Sequence, residues 1–291
     1  MFRLVAASEA VREAVPAEAL PLVWLVTLVG GSKFLMVGLS VTYWNAEDHR
    51  REVLTVVATA FVALAVTLSL KWGIGLPRPP ESAQRYVLAD SPVGFPSGHT
   101  IAATVVYGGG LVAFDRYRDA RYAVPVAGLV VAVGLSRVVL GVHYLGDVVA
   151  GAAVGLALLG VLVVALRRGP TVVFALAACC AIPALFVAGD TGDAALAAGG
   201  SLGGVLGTAW SPSFDPFRSV AEQAAVTVAG LVFLGGLLGT VETVEPGLVV
   251  AGIANLALAF GIVSVPVLVG QIPVLSGEAS ATDRAEGTSD R

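Results

Sequence analysis

Charge is what this sequence has least of. Of its 291 residues 13% are Asp, Glu, Lys or Arg, where water-soluble domains carry roughly 25%. Lysine occurs twice, at Lys33 and Lys71, and histidine three times, at His49, His99 and His143. With 56% hydrophobic residues and a mean hydropathy of +0.86, this scarcity excludes an ordinary soluble globular protein. Basic stretches are too few to point to nucleic acid as a partner. Cys179 and Cys180 are the only cysteines and sit side by side in an apolar run, which argues against a disulfide framework or a metal cage. The N-terminus mixes Glu9, Glu13 and Glu18 with Arg3 and Arg12, unlike the basic start and apolar core of a cleavable signal. Alternating ten-residue segments, the mark of a transmembrane barrel, are missing.

What is present is a series of apolar stretches of about 20 residues, the length that spans a hydrocarbon core of roughly 30 Å. The fold class expected is therefore all-α, a polytopic helical bundle in the membrane. After an amphipathic lead-in over 1–20, spans are expected near 22–43, 53–70, 97–114, 122–140, 146–166 and 172–188. Residues 1–190 would form a core of about six spans. Two or three more would follow in 191–276, near 194–210, 220–238 and 247–269, before a disordered polar tail over 277–291. Lys33 falls inside the first span, where a lysine must snorkel, find a partner or face an anionic substrate. His49 reads as a surface histidine.

Loop charge sets an orientation. Arg50/Arg51, Arg116/Arg118/Arg121 and Arg167/Arg168 follow spans one, three and five, whereas the opposite loops add little beyond Arg85. The positive-inside rule places the first set in the cytoplasm, and the N-terminus and the loops containing 71–99 and 137–147 on the far side of a multi-pass cell-membrane protein.

That window holds nearly all the groups able to do chemistry. Lys71, Arg78 and Arg137 are cations at one membrane face of a chain that avoids cations in its apolar parts. Each alone would be an interfacial anchor; with two histidines they read as an anion clamp, arginine giving paired donors and lysine a compact charge. In Pro96-Ser97-Gly98-His99-Thr100, Ser97 suits an N-cap and Gly98 lets an anion approach the backbone at a helix N-terminus. A plain capped helix with an interfacial histidine fits these five residues equally well. His143 and Asp147 are four apart, so on a helix they would share a face, with the carboxylate orienting the imidazole. Asp147 could instead, or in addition, cap the helix that starts beside it. His99, His143 and Asp147 are also a known type of metal ligand set, but three neighbouring cations would repel a metal.

Taken together, Lys71-x6-Arg78-Pro79, Pro96-Ser97-Gly98-His99 and Ser136-Arg137-x5-His143-x3-Asp147 resemble the three-part signature of the type 2 phosphatidic acid phosphatase superfamily, which includes vanadium haloperoxidase-like members. The parts occur in order with their internal spacings intact, and the resemblance covers roughly residues 20–190. It implies a metal-independent membrane phosphatase, without cofactor, acting on a lipid phosphate or polyprenyl diphosphate held in the bilayer. It further implies catalytic roles for His143 as nucleophile forming a phosphohistidine, Asp147 as its orienting group and His99 as the acid for the leaving oxygen. Lys71, Arg78, Ser97, Gly98 and Arg137 would bind the phosphoryl oxygens, with Ser136 a supporting contact. A lipid phosphotransferase of the same superfamily is the alternative. A non-catalytic transporter or lipid-binding protein is the alternative from another class, to which the His143–Asp147 pair beside His99 would be superfluous.

Overall fold

The structure is a computed structural model describing residues 2–85, 91–188, 192–210, 217, 219–244 and 247–270. Apolar runs without charge must satisfy every backbone group internally, and helices do so within one segment. Eleven α-helices are found among the described residues: α1 (Val5–Glu13), α2 (Leu20–Leu28), α3 (Ser32–Asn45), α4 (Arg50–Ile74), α5 (Gly98–Ala113), α6 (Ala120–Val139), α7 (Leu145–Arg168), α8 (Pro170–Val187), α9 (Gly192–Trp210), α10 (Val220–Val244) and α11 (Leu248–Gly270). There is no sheet among them, only an isolated antiparallel bridge between Pro77 and Val93. The polar tail expected over 277–291 lies outside the described residues.

Six helices, α4, α6, α7, α8, α10 and α11, are long and apolar enough to cross a membrane. Together they make this a polytopic helical membrane bundle. The expected first span is not continuous. It is broken at Val29–Gly31 into segments bent by 53°, and the break packs closely: a Cβ at Gly30 would lie 2.5 Å from Val133 Cγ1 of α6 and 3.2 Å from the His99 carbonyl at the start of α5. The expected third and seventh spans form as α5 and α9 but are not among the six: α5 has only 16 residues, and glycines dilute the apolarity of α9.

The core that positions the polar window is built from α4, α5, α7 and α8, packed through Ala58, Val62, Ile101, Val105, Leu162, Val173 and Phe174. Two glycines one turn apart bring α7 against α5. A Cβ at Gly151 would come within 2.8 Å of the Ser97 carbonyl, and one at Gly155 within 2.6 Å of Thr104 Cβ, so neither position tolerates a side chain without a shift. This is the close helix approach that small residues permit in membranes. It draws the first turn of α7 and the N-terminus of α5 into one corner.

A second core joins α3 to α10 and α11. Pro266 inside α11 lacks the N–H that would bond the carbonyl of Ile262, one turn earlier. Trp44 Nε1 donates to that carbonyl at 2.9 Å, and the Tyr43 hydroxyl to the carbonyl of Val263 at 3.0 Å. The two aromatic side chains thus seal the proline break from lipid. Trp44→Phe, which keeps the bulk and removes the donor, is expected to lower stability by about 1–3 kcal/mol. The check is the thermal unfolding midpoint of the purified protein in detergent, which falls in the variant.

Candidate active site

Antiparallel helices bring both chemistry-bearing stretches, 71–99 and 137–147, to one end of the bundle. Lys71 comes from the last turn of α4, Ser97 to His99 from the start of α5, Arg137 from the end of α6, and Asp147 from the first turn of α7. Arg50/Arg51, Arg116/Arg118/Arg121 and Arg167/Arg168 lie at the other ends of these helices. A cavity of about 150 Å³ near that opposite end is lined by Arg51, Glu52, Thr55, Leu166 and Arg167 and contains no histidine.

The proline-rich connection between α4 and α5 holds Arg78. Its backbone N–H donates to the carbonyl of Pro92 at 3.1 Å, and Gly94 N–H donates to the Leu76 carbonyl at 2.7 Å, pinning the two strands of the loop together. The guanidinium is then fixed at both ends: Nε donates to the Ser91 carbonyl at 2.7 Å and Nη1 to the Val142 carbonyl at 3.1 Å. The same Nη1 stands 3.2 Å from His143 Nε2. A guanidinium has donors only, so Nε2 faces it as a lone pair and the imidazole proton resides on Nδ1.

His143 is not on a helix. It lies in the turn before α7, and the tight α6–α7 connection, not a shared helical face, brings it to Asp147. Its Nδ1 is 3.5 Å from Asp147 Oδ2, at the outer limit of a hydrogen bond, and has no other partner among the described residues. Asp147 also accepts from the Tyr144 N–H at 3.0 Å, so it both caps α7 and faces the imidazole. Arg3, far away in sequence, completes its contacts: Nε reaches Oδ1 at 2.8 Å and Nη2 reaches Oδ2 at 2.7 Å.

Ser97 stands at the N-cap of α5 but does not cap it through its side chain. The Oγ accepts from Thr100 Oγ1 at 3.0 Å, while the Ser97 N–H donates to the Asp147 carbonyl. The first turn of α5 is thereby left without a side-chain cap, the arrangement in which a helix N-terminus offers its N–H groups to an anion. Gly98 sits over Thr67 and Lys71; a Cβ there would lie 2.8 Å from Thr67 Cγ2 and 3.9 Å from Lys71 Nζ. Arg137 is buried, with 3% of its surface exposed; Nη1 donates to Thr27 Oγ1 at 2.8 Å and Nε has no partner among the described residues. His99 lies within electrostatic reach of Arg137, His143, Lys71 and Arg78. Ser136 bonds back to the Val133 carbonyl, a helix-internal contact. Lys33, in the first turn of α3, is exposed, and exposed His49 rests edge-on against Phe114.

All eight residues singled out for catalysis or phosphate binding therefore converge. Among the described residues no three His, Cys, Asp or Glu side chains come together as a group that could hold a metal. Sequence reasoning missed Arg3 and Thr27. Neither carries a local signal, because each reaches the site only through tertiary packing.

Burial pushes the His143 imidazole down to about 3; the Asp147 contact opposes this, and the charges of Arg137, Arg78 and Lys71 reinforce it. A shift in this direction keeps the imidazole neutral near neutral pH.

The fold and the site define a polytopic helical membrane protein with a cation-lined, two-histidine centre at one end. Residues 52–169, a segment that contains all eight residues, match the family model of the PAP2 superfamily. Over 109 residues it is 38% identical to the decaprenylphosphoryl-5-phosphoribose phosphatase of two strains of Mycobacterium tuberculosis. That alignment covers 37% of this chain and 57% of the relative, so the chain spans little more than half the length of the curated relatives it matches. No solved structure matches it.

The histidine geometry has a direct check. Nitrogen-15 NMR of histidine-labelled protein, with His143 assigned by its loss in His143→Ala, is expected to show a neutral ring protonated at Nδ1 from pH 5 to pH 8. A titration midpoint near the ordinary histidine value of about 6.5 would contradict the assignment.

Proposed function

We propose that this protein is a membrane phosphatase that removes a phosphate group from a lipid or polyprenyl carrier through a phosphohistidine on His143. The observation that carries the reading is the 3.2 Å approach of Arg78 Nη1 to His143 Nε2. A phosphoryl oxygen bound by Arg78 places phosphorus beside Nε2, the nitrogen of the His143 ring that carries the lone pair. The names of the similar mycobacterial proteins, phosphatases of a decaprenylphosphoryl compound, support a polyprenyl-linked substrate. A site at helix ends suits a substrate whose tail remains in the bilayer.

In the first step Nε2 forms a bond to phosphorus as the bond to the leaving oxygen breaks, and His99 gives that oxygen its proton. Asp147 stabilises the positive charge that develops on the ring. In the second step water attacks phosphorus, the N–P bond breaks, and His99 takes the proton from water. The sum is ester plus water to alcohol plus phosphate. Lys71, Arg78, Arg137 and the uncapped N-terminus of α5 at Ser97 and Gly98 hold the three phosphoryl oxygens, where fixed charge lowers the barrier most. No step calls for a metal, and three cations around the phosphoryl group supply the charge a metal would provide. The site lies on the non-cytoplasmic face, since the arginine-rich loops gather at the opposite end of the same helices.

His143→Ala should lower phosphate release from a short-chain prenyl or glycerolipid phosphate at least ~1,000-fold. Activity should persist in EDTA; a loss restored by zinc or magnesium would overturn the metal-free mechanism. The sidedness is tested in a Cys179→Ser/Cys180→Ser background. In intact cells a membrane-impermeant maleimide should label Gly73→Cys and spare Arg118→Cys; the reverse pattern would place the site in the cytoplasm.

A further inference from the structure

The N-terminal segment is built into the catalytic corner. It touches all three parts of the polar window: Arg3 Nη1 donates to the Pro77 carbonyl at 2.8 Å, the Phe2 ring packs edge-on against Phe95 at 5.7 Å, and Arg3 Cζ lies 4.4 Å above the Tyr144 ring. It also receives donors from the start of α7, since Gly146 N–H bonds the Arg3 carbonyl at 3.1 Å and Leu145 N–H bonds Ser8 Oγ at 2.8 Å. The fork of Arg3 then takes both oxygens of Asp147, which is fully buried.

We propose that Arg3 is a positioning residue for the reaction, fixing the Asp147 carboxylate so that Oδ2 faces His143 Nδ1 and holds the ring with its Nε2 lone pair toward phosphorus. Without Arg3, the described residues leave that carboxylate with the Tyr144 N–H at 3.0 Å and the long His143 Nδ1 contact at 3.5 Å, both on Oδ2. Contacts to one oxygen leave rotation about the terminal torsion open, whereas a bidentate fork fixes the plane. Arg3 acts through Asp147 and has no hydrogen bond to Lys71, Arg78, His99, Arg137 or His143, the other charged or titratable groups around the imidazole. Its loss should therefore impair the chemical step and spare anion binding.

The inference rests on the phosphatase reading for its kinetic arm only. Arg3→Ala should reduce kcat about tenfold or more, because a misaligned reacting group loses rate steeply, with KM and inhibition by inorganic phosphate changed less than twofold. Arg3→Lys should recover part of kcat, and Arg12→Ala, on the same segment, should behave as the unaltered protein. In an Asp147→Asn background Arg3→Ala should cost less than twofold more. Independently of turnover, nitrogen-15 NMR should show His143 moving from a single Nδ1–H tautomer to a mixture in Arg3→Ala. Unchanged kcat and tautomer in folded Arg3→Ala would overturn the proposal, and so would full additivity with Asp147→Asn. If the unaltered protein releases no phosphate from any lipid phosphate, the functional reading fails, and the tautomer measurement alone decides the role of Arg3.

Discussion

The constraint on which this structure depends is an excess of positive charge held at one end of an apolar bundle. Lys71, Arg78, Arg137 and Arg3 meet there. Asp147, the carboxylate at their centre, is already claimed by Arg3, while Asp193 acts on Lys71 from α9. Charges taken out of water are costly unless paired, and Arg137 carries a buried Nε without a partner among the described residues. Such an excess of cations favours an anion. In the proposed reaction a phosphoryl group would gain most from it at the moment its charge is greatest, in the transition state.

The helices serve this corner. Gly151 and Gly155 let α7 lie against α5, so that Asp147 and Ser97 share a hydrogen bond through their backbones. The break at Val29–Gly31 bends the first span around His99 and sets Thr27 against Arg137. Arg78 is positioned by the proline-rich loop and not by any helix, and its two carbonyl partners hold it beside His143. The result is a histidine whose tautomer follows from a neighbour that can only donate.

Much of this was legible in the chain. Apolar runs gave the helices to within a few residues, and the spacings of Lys71–Arg78, Ser97–His99 and Arg137–Asp147 marked the residues that converge, because each group is local in sequence. What was not legible is tertiary. The bend at Gly30–Gly31 looks like a lysine-bearing interruption until α5 is packed against it. Ser97 has the composition of a cap, yet Thr100 takes its hydroxyl. His143 and Asp147 have helical spacing, yet meet across a turn. Arg3 sits in a lead-in whose charges look like ordinary surface polarity, and only the folded chain shows that it grips the carboxylate behind His143.

The central claim is that phosphorus is transferred to His143. Rapid-quench mass spectrometry of the protein mixed with a phosphorylated polyprenyl lipid tests it most directly. The account predicts an acid-labile phosphoryl adduct that maps to His143, forms before phosphate is released and is missing in His143→Ala. Phosphate release with no such adduct, or an adduct on another residue, would contradict it.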